Sequence, residues 1–296
     1  TYSMSGNTNH MSPDDHYQNL KRIIAAVGGK AKRINVIMPF LYESRQHKRS
    51  SRESLDCALA LQELTHMGVD NIITFDAHDP RVQNAIPLSG FETVRPTYQF
   101  VKGLLDRYDD LIIDSDHMMA ISPDEGATER AVYLANVLNL DMGMFYKRRD
   151  YTRVVNGRNP IVAHEFLGSS VEGKDVIILD DMISSGDSIL DVAKQLKSRN
   201  AKRIFAAATF GLFTNGLDKF DEAYESGLID GVLTTNLIYQ TPELLSRPYY
   251  INCDMSKYVA LMIDTLNHDG SISDILDPSE RIQVCVEEYK KAHGQL

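Results

Sequence analysis

The chain alternates between short continuous apolar runs and longer stretches with apolar residues on one helical face. The apolar runs predict buried strands at Ile34–Phe40, Asn71–Asp76, Met119–Ser122, Asp141–Tyr146, Asp175–Asp180, Arg203–Thr209 and Gly231–Thr235. The amphipathic stretches predict helices at Asp14–Ala26, Glu53–Met67, Glu129–Leu138, Ser188–Lys197 and Ser256–Leu266. Because strands and helices alternate, the pattern favours an α/β fold with largely parallel sheets.

The length of 296 residues is generous for one core and suits two α/β domains. Acidic residues flank a short apolar run in Leu105–Asp116, which is typical of a join between two halves. A second loose region, Asn267–Ser279, precedes a final helical stretch. We therefore predict a first domain over residues 1–110, a second over 111–277, and a C-terminal helix over 278–296 that packs back on the first domain.

Composition narrows the possible partners of the chain. Hydrophobic residues make up 43%, yet the longest apolar runs fall far short of a membrane span. Thr1–Asp15 is polar and does not resemble a signal peptide. Three widely separated cysteines suit a reducing compartment, so we expect a cytoplasmic protein without a membrane partner. A net charge of −10 argues against nucleic acid as a partner, because nucleic-acid affinity depends on neutralising phosphates.

The most informative segment joins a predicted strand to a predicted helix. The apolar run Val176–Leu179 ends in two carboxylates, Asp180 and Asp181, and a small polar turn at Ser184–Gly186 follows. A helix that starts after such a turn offers free backbone amides to a phosphate, and paired carboxylates can accept hydrogen bonds from neighbouring ribose hydroxyls. A plainer interpretation is helix capping by Ser and Asp, and the pattern alone does not decide between the two.

This segment resembles the phosphoribosyl-binding motif of type I phosphoribosyltransferases and ribose-phosphate pyrophosphokinases, in which two acidic residues precede a Thr-Gly-x-Thr-like turn. Further segments resemble the pyrophosphokinases in the same order along the chain: Met38–Gln46, Ile73–His78, Ile121–Arg130 and Gly270–Ser273. The resemblance implies two phosphoribosyltransferase-like domains, each a mostly parallel sheet flanked by helices. It also implies that the first domain is the ATP side and lacks the first strands of the family, and that the second binds ribose 5-phosphate.

The resemblance implies that the diphosphate of ATP is transferred to C1 of ribose 5-phosphate with Mg²⁺ as cofactor, giving 5-phosphoribosyl 1-diphosphate and AMP. The implied ATP-binding residues are Arg45, Gln46 and His47. The implied ribose 5-phosphate ligands are Asp180, Asp181, Ser184, Ser185, Gly186, Asp187 and Ser188. The implied metal ligands are His78 and Asp124, and the implied catalytic residues are Lys147 and Arg149.

Regulation and assembly also follow from the resemblance. Ser51, Arg52, Ser271 and Ser273 match a family site for inorganic phosphate or ADP as effector, although polar loop residues explain them equally well. The family also implies a homo-oligomer built from dimers. Lys147 opens a polar stretch that reaches Gly173 and is predicted to be a loop, which matches the mobile catalytic loop of the family. A solvated basic cluster is the plainer interpretation of its cations.

Several positions depart from the family pattern. His47 stands where an Asp is usual, Ser184 lacks the usual carboxylate, and Asp187 adds a negative charge to a phosphate turn. These departures leave two other hypotheses open, namely a catalytically silent regulatory homologue and a phosphoribosyltransferase. AMP formation from ATP and ribose 5-phosphate, with no nitrogenous base added, distinguishes a pyrophosphokinase from either of these.

Overall fold

The structure is a computed structural model that describes residues 2–4, 7–9, 11–49, 51–149 and 161–295, with side chains described over 11–49, 51–146 and 165–295. The chain divides into two compact units. Unit 1 comprises Thr1–Pro96 and Leu237–Tyr239, and unit 2 comprises Thr97–Asn236 and Gln240–Leu296. Within the described ranges, no helix has both the length and the apolarity needed to cross a membrane.

Unit 1 is built around a three-stranded parallel sheet. Its strands are β1 (Tyr2–Met4) and β2 (Asn7–Asn9), which form an antiparallel pair, and β3 (Asn35–Met38), β4 (Asn71–Phe75) and β5 (Gly90–Val94), which form the parallel sheet in the order β3-β4-β5. Its helices are α1 (Pro13–Val27), α2 (Asp56–His66) and a 3-10 helix (Pro80–Ala85).

Local sequence explains where α1 begins. The Ser12 hydroxyl accepts a hydrogen bond from the Asp15 amide (3.1 Å), and the Asp15 carboxylate accepts one from the Ser12 amide (3.0 Å). Pro13 occupies the first turn, where its missing amide proton is not needed. Tyr17 and Ile24 then bury one face of the helix in the core of unit 1. Capping and periodicity therefore agree with the predicted helix at Asp14–Ala26.

Unit 2 contains a seven-stranded sheet with helices packed on both faces. Its strands are β6 (Met118–Ser122), β7 (Asp141–Arg149), β8 (Ile161–Leu167), β9 (Asp175–Ile183), β10 (Ile204–Gly211), β11 (Gly231–Thr235) and β12 (Tyr250–Cys253). Its helices are α3 (Thr97–Arg107), α4 (Thr128–Leu138), α5 (Asp187–Lys197), α6 (Asp218–Glu225), α7 (Pro242–Leu245), α8 (Ser256–Asn267), α9 (Ser273–Leu276) and α10 (Ser279–Ala292).

The strand order indicates where this sheet would bind a ligand. The order is β12-β11-β10-β9-β6-β7-β8, and only the β7–β8 pair is antiparallel within the described sheet. The connection through α4 moves outward from β6 to β7, whereas the connection through α5 moves the other way, from β9 to β10. Ligands of open α/β sheets bind where the connections diverge in this way, outside the carboxyl ends of the strands. In unit 2 that position lies between β6 and β9.

Different helices pack on the two faces of β9. Ile177 and Leu179 belong to the apolar cluster that contains the buried side of α4, whereas Val176 and Ile178 belong to the cluster that contains α5. Successive residues of a strand point to opposite faces, so α4 and α5 cover opposite sides of the sheet. The prediction of an α/β fold with parallel sheets flanked by helices is confirmed.

Several elements differ from the predicted ones. The strands β5, β8 and β12 and the helix α3 were not predicted. β5 and β12 are short and carry an exposed polar residue, Glu92 and Asn252 respectively, which interrupts the apolar run on which strand prediction depends. The predicted loop from Lys147 to Gly173 was too long, because β7 continues to Arg149 and β8 occupies Ile161–Leu167. Antiparallel pairing with β8 keeps the polar end of β7 extended.

The division into units also differs from the predicted domains. The change falls at Pro96 rather than at 110, because α3 buries Phe100, Val101 and Leu104 in the core of unit 2. The C-terminal helix α10, which was predicted to pack on the first domain, belongs to unit 2 and packs against α3 and α4. Its Tyr289 hydroxyl donates to the Tyr108 carbonyl (2.8 Å) and accepts from the Leu111 amide (3.0 Å). The acidic segment predicted as a join between domains is therefore fixed inside unit 2.

Candidate functional site

Two adjacent carboxylates lie near the carboxyl end of β9. Asp181 is 4% exposed, Asp180 is half-buried, and the Asp181 amide donates to Asp180 Oδ1 (2.9 Å). Burial and the neighbouring Asp181 carboxylate raise the pKa of Asp180 to about 8. A raised pKa means that the protein alone does not stabilise a full negative charge at Asp180. A ligand that donates hydrogen bonds, such as a polyhydroxyl compound, would supply that stabilisation.

The turn after β9 depends on a glycine. β9 ends at Ile183, and Gly186 takes a left-handed conformation (φ 84°) immediately before α5. A Cβ at this position would approach the ring of the buried Phe220 to 2.4 Å. Glycine is therefore required both for its backbone conformation and for its lack of a side chain. The close packing on Phe220 places the start of α5 directly against α6.

The start of α5 presents unpaired backbone donors. The first helical hydrogen bond runs from the Leu190 amide to the Gly186 carbonyl (3.0 Å). Among the described residues, the amides of Gly186 and Ser188 have no hydrogen-bond partner. Free amides and the positive end of the helix dipole together favour an anion at this point. The predicted phosphate turn thus has the donors that its interpretation requires.

The side chain of Asp187 is held by protein groups. Its Oδ1 accepts from Lys219 Nζ on α6 (2.5 Å), and its Oδ2 accepts from the Ser185 hydroxyl (2.9 Å). Lys219 and, to a smaller extent, Ser185 keep the pKa of this carboxyl below its usual range. Asp187 therefore stays ionised beside the turn, and its charge is neutralised by a lysine that sequence reasoning did not select.

Asp124 follows β6 and stabilises the start of α4. Its Oδ1 accepts from the amides of Gly126 (3.0 Å) and Ala127 (3.3 Å), and its carbonyl accepts from the Ser122 hydroxyl (2.6 Å). Capping thus explains one oxygen of the carboxylate. β6 and β9 are neighbours, and the charge of Asp124 contributes to the raised pKa of Asp180. The structure therefore brings Asp124 and the acid pair to the same edge of the unit 2 sheet.

In unit 1, the segment after β3 carries the predicted nucleotide-binding residues. Arg45 is exposed, and the Gln46 amide donates to the carbonyl of Glu43 (2.8 Å), which has a left-handed conformation. The Gln46 carbonyl accepts from the Cys57 amide at the start of α2 (3.4 Å). The segment is therefore a turn that is tied to α2 and leaves the Arg45 guanidinium in solvent.

His47 is enclosed beside the residues that follow β4. Its side chain is 10% exposed, its Nε2 lies 3.5 Å from Asp79 Oδ2, and its ring centroid lies 5.1 Å from that of His78. The Arg81 guanidinium binds both oxygens of Asp79 and lowers the pKa of that carboxyl to about 2. Burial lowers the pKa of His47. The structure thus brings together His47 and His78, which the sequence assigned to ATP and to the metal respectively.

The structure describes the remaining predicted residues only in part. The backbones of Lys147 and Arg149 lie in β7, but their side chains fall outside the described ones. His78 belongs to unit 1 and Asp124 to unit 2, so the two candidate metal ligands are described separately. The same holds for the possible effector residues: exposed Ser51 and Arg52 lie in unit 1, whereas exposed Ser271 and Ser273 lie in unit 2.

Sequence reasoning missed three residues at these sites. Asp79 begins the 3-10 helix, where its carboxylate accepts from the Arg81 amide (3.0 Å), and the Asp-Pro pair could have indicated this cap. Arg81 and Lys219 are partners of acidic residues and carry no local motif. Lys219 is 32 residues from Asp187 in the chain, so only tertiary structure joins them.

Comparison with known proteins covers both units. Residues 4–68 match the family model described as the N-terminal domain of ribose phosphate pyrophosphokinase, and residues 94–235 match the one described as the phosphoribosyl transferase domain. A crystal structure of phosphoribosylpyrophosphate synthetase from Mycobacterium smegmatis has a similar fold, with a TM-score of 0.73 and 24% identity, covering 87% of this chain and 79% of that one.

Curated relatives extend the match to sequence. The ribose-phosphate pyrophosphokinase of Shewanella oneidensis is 30% identical over 263 residues, which is 86% of this chain and 78% of that one. The protein of the same name from Mycoplasma genitalium is 31% identical over 214 residues, 72% of this chain and 60% of that one. The match thus spans about three fifths of the Mycoplasma relative and a larger share of the Shewanella one. On this similarity, the chain belongs to the ribose-phosphate pyrophosphokinase family.

Proposed function

We propose that this chain transfers the β,γ-diphosphate of ATP to the C1 hydroxyl of ribose 5-phosphate, giving 5-phosphoribosyl 1-diphosphate and AMP. Family membership supports the reaction class. The observation that carries the proposal most directly is the unpaired amides of Gly186 and Ser188, which lie just beyond the paired carboxylates of Asp180 and Asp181. Anion donors and hydroxyl acceptors at one strand end match the two ends of a sugar phosphate.

In this proposal the sugar phosphate lies along the carboxyl end of β9. The 5-phosphate accepts hydrogen bonds from the unpaired amides of Gly186 and Ser188 and from the hydroxyls of Ser184 and Ser188, whereas the Ser185 hydroxyl donates to Asp187. Two neighbouring ribose hydroxyls donate to Asp180 and Asp181. Those donors would favour the ionised form of Asp180, whose carboxyl has a raised pKa in the protein alone. Binding and ionisation are then coupled at this position.

The transfer itself needs no protein nucleophile. The C1 oxygen forms a bond to the β-phosphorus of ATP, and the bond from that phosphorus to the oxygen bridging to the α-phosphate breaks. AMP leaves with the bridging oxygen, and the hydroxyl proton passes to solvent. Phosphoryl transfers of this kind depend on alignment and on neutralising the charge of the transferred group. We assign that neutralisation to Lys147 and Arg149, which lie at the end of β7.

We assign the nucleotide to unit 1, at the turn that follows β3. Arg45 is exposed there and could clamp phosphate oxygens or stack on the base, while Gln46 supplies a side-chain amide. His47 contacts Asp79 and lies beside His78, so its ring is oriented by the protein before any ligand arrives. This orientation supports a binding role for His47, although the family usually has an Asp at its position.

Mg²⁺ fits the proposal as an ion carried largely by substrate phosphates. Within either unit, the described residues form no group of three or more potential ligands. Magnesium commonly keeps several waters and binds one or two side chains together with substrate phosphates. The candidate side chains are His78 in unit 1 and Asp124 in unit 2, and Asp124 Oδ1 already accepts two backbone amides. The ion would neutralise charge on the transferred diphosphate.

A second candidate function is that of a catalytically silent regulatory homologue. Ser184 lacks the carboxylate that the family carries near the reacting carbon, and Asp187 places an ionised carboxylate at the phosphate turn. Both changes affect turnover more directly than they affect the fold. A phosphoribosyltransferase is less well supported, since residues 4–68 match the N-terminal domain of the pyrophosphokinases.

The test is AMP formation by the purified chain with ATP and Mg²⁺ and no nitrogenous base. We expect AMP to appear only when ribose 5-phosphate is present, in a one-to-one ratio with 5-phosphoribosyl 1-diphosphate. Binding of ribose 5-phosphate without AMP formation would support the silent homologue instead. A parallel series with inorganic phosphate or ADP tests the proposed effector role of Ser51, Arg52, Ser271 and Ser273.

We also propose a cytoplasmic homo-oligomer built from dimers. Family membership supports the oligomer, and the three free cysteines fit a reducing environment. Light scattering over a range of protein concentrations measures the assembly directly. A mass that stays at that of one chain would contradict it.

A further inference from the structure

The proposed phosphate turn of unit 2 contains an anion of its own. Asp187 is the first residue of α5, its side chain is 54% exposed, and its carboxyl is ionised at neutral pH. A carboxylate at a helix start readily accepts hydrogen bonds from the free amides of the first turn. Unrestrained, it would compete for the amides that we assign to the sugar phosphate, and it would repel the phosphate.

Two protein donors restrain this carboxylate. Lys219 Nζ holds Oδ1 at 2.5 Å and the Ser185 hydroxyl holds Oδ2 at 2.9 Å, so each oxygen has a partner outside the helix. The amides of Gly186 and Ser188 remain without a partner among the described residues. These two contacts therefore leave the amides of Gly186 and Ser188 available to a bound anion, although the Asp187 carboxylate lies next to them.

The backbone position of Lys219 on α6 is set by its neighbour in the chain, Phe220. Phe220 is fully buried, and its ring packs edge-on against Phe213 with centroids 5.2 Å apart. The same ring fills the space that a side chain at Gly186 would need. Phe220 therefore shapes the turn and also places α6, with Lys219, beside it. An exposed lysine is otherwise too flexible to be held at one place.

We infer that Lys219 is a positioning residue for sugar-phosphate binding. It neutralises Asp187 and keeps that carboxylate away from the amides of the turn, so that those amides remain available to the 5-phosphate of ribose 5-phosphate. The inference rests on the proposed function of this turn and adds to it the reason why an acidic residue is tolerated there. It assigns Lys219 no contact with the reacting atoms.

A binding cycle tests the inference without relying on turnover. Ribose 5-phosphate is titrated calorimetrically into the wild type, Lys219→Met, Asp187→Asn and the double variant. We expect Lys219→Met to weaken binding by about three- to tenfold, the scale of one ion pair near a charged ligand. The double variant should bind more tightly than Lys219→Met alone, because the released carboxylate is gone. Lys219→Arg should retain the wild-type affinity.

Controls separate this role from a general loss of charge or stability. Lys257→Met removes one positive charge from an exposed position on α8 and should leave the affinity unchanged. The Lys219–Asp187 pair is about half exposed, so its loss should change the melting temperature little. The affinity deficit of Lys219→Met should also shrink as sodium chloride is raised, because salt screens the uncompensated charge.

Two results would overturn the inference while leaving the proposed function intact. One is a Lys219→Met variant that binds ribose 5-phosphate as tightly as the wild type. The other is a double variant as weak as Lys219→Met, which would show that Lys219 does not act through Asp187. Failure of the wild type itself to bind ribose 5-phosphate would instead remove the proposed function, and this inference with it.

Discussion

Unit 1 and unit 2 both have polar side chains at the carboxyl ends of parallel strands, but the pKa values of their acidic residues shift in opposite directions. In unit 1, Asp79 is bound by Arg81 and contacts His47, and its pKa falls to about 2. In unit 2, burial and Asp181 raise the pKa of Asp180 to about 8. The first carboxylate has its counter-charge within the protein, whereas the second stands in a place that favours its neutral form.

This difference indicates in which unit a bound ligand would stabilise the protein's polar groups most. Buried polar groups normally find partners, so groups left without them mark strain or function. The amides of Gly186 and Ser188 remain unpaired among the described residues, next to an acid that its surroundings do not stabilise as an anion. In unit 1 the charge of Asp79 is matched by Arg81, although the buried Nδ1 of His47 beside it has no hydrogen-bond partner among the described residues. We therefore expect substitutions in unit 2 to affect ligand binding more than those in unit 1.

The largest effect should come from residues outside both clusters. Lys147→Ala or Arg149→Ala is expected to lower kcat by roughly a hundred- to a thousandfold, the scale seen when one group that stabilises transition-state charge is removed. Affinity for ribose 5-phosphate should stay nearly intact, because the turn after β9 is unchanged. Steady-state kinetics and calorimetry measure the two quantities, and wild-type turnover in either variant would exclude a catalytic role for that residue.

A smaller but still large effect is expected from Asp181→Asn in unit 2. Replacing a carboxylate that accepts ribose hydroxyls should weaken ribose 5-phosphate binding by roughly ten- to a hundredfold, the worth of one charge-assisted hydrogen bond. Affinity for a non-hydrolysable ATP analogue should not change. Asp191→Asn, at an exposed position on α5, is the matched control. An unchanged affinity in calorimetry would count against the acid pair as the sugar-binding group.

In unit 1, Asp79→Asn should have a smaller effect, and it should change affinity for the ATP analogue rather than for ribose 5-phosphate. The substitution removes the ionic partner of Arg81 and the carboxylate that contacts the His47 ring, so His47 loses its orientation. We expect a few-fold loss of affinity for the ATP analogue, on the scale of one partly exposed ion pair, and no change for ribose 5-phosphate. Equal losses for both ligands would show that the two clusters are not independent.

The pH dependence of stability should have opposite signs in the two units. The lowered pKa of Asp79 adds stability above its ordinary value of 3.8, and this is lost as pH falls towards 2. The raised pKa of Asp180 has no effect below 3.8, and it lowers stability progressively as pH rises from 3.8 to about 8.

Asp180→Asn isolates the unit 2 contribution to this pH dependence. The neutral amide cannot ionise, so the variant should gain on the wild type in melting temperature between pH 5 and pH 8.5, by about 2–4 °C for each kcal/mol. Calorimetric melting curves across this range measure the gain. A constant difference at all pH values would mean that Asp180 is ionised throughout, contrary to the contrast between the units.

The sequence was informative where chemistry and periodicity coincide in one short segment. The stretch from Val176 to Ser188 combines an apolar run, two acids and a small polar turn, and the structure places it as a strand, a turn and a helix start, with β9 continuing to Ile183. The extension of β9 depends on pairing with β10, where Phe210 is the partner of Met182. Pairing between strands is not encoded locally.

Tertiary partners explain most of what was not predicted. The ion pair between Lys219 and Asp187 joins α6 to α5, and its lysine carries no motif. The helix α3 was overlooked because acidic residues beyond its end suggested a domain join, whereas its apolar face belongs to the unit 2 core. The fold class follows from the alternation of strands and helices, but the partners of charged side chains follow only from the assembled units.

The most direct test of the account is to observe the turn amides while ribose 5-phosphate is added. In backbone amide NMR spectra, we expect the resonances of Ser185, Gly186 and Ser188 to shift saturably with ribose 5-phosphate and to remain in place with ribose. Binding of ribose 5-phosphate that moves other amides and leaves these three unchanged would contradict the assignment of this turn as the phosphate site.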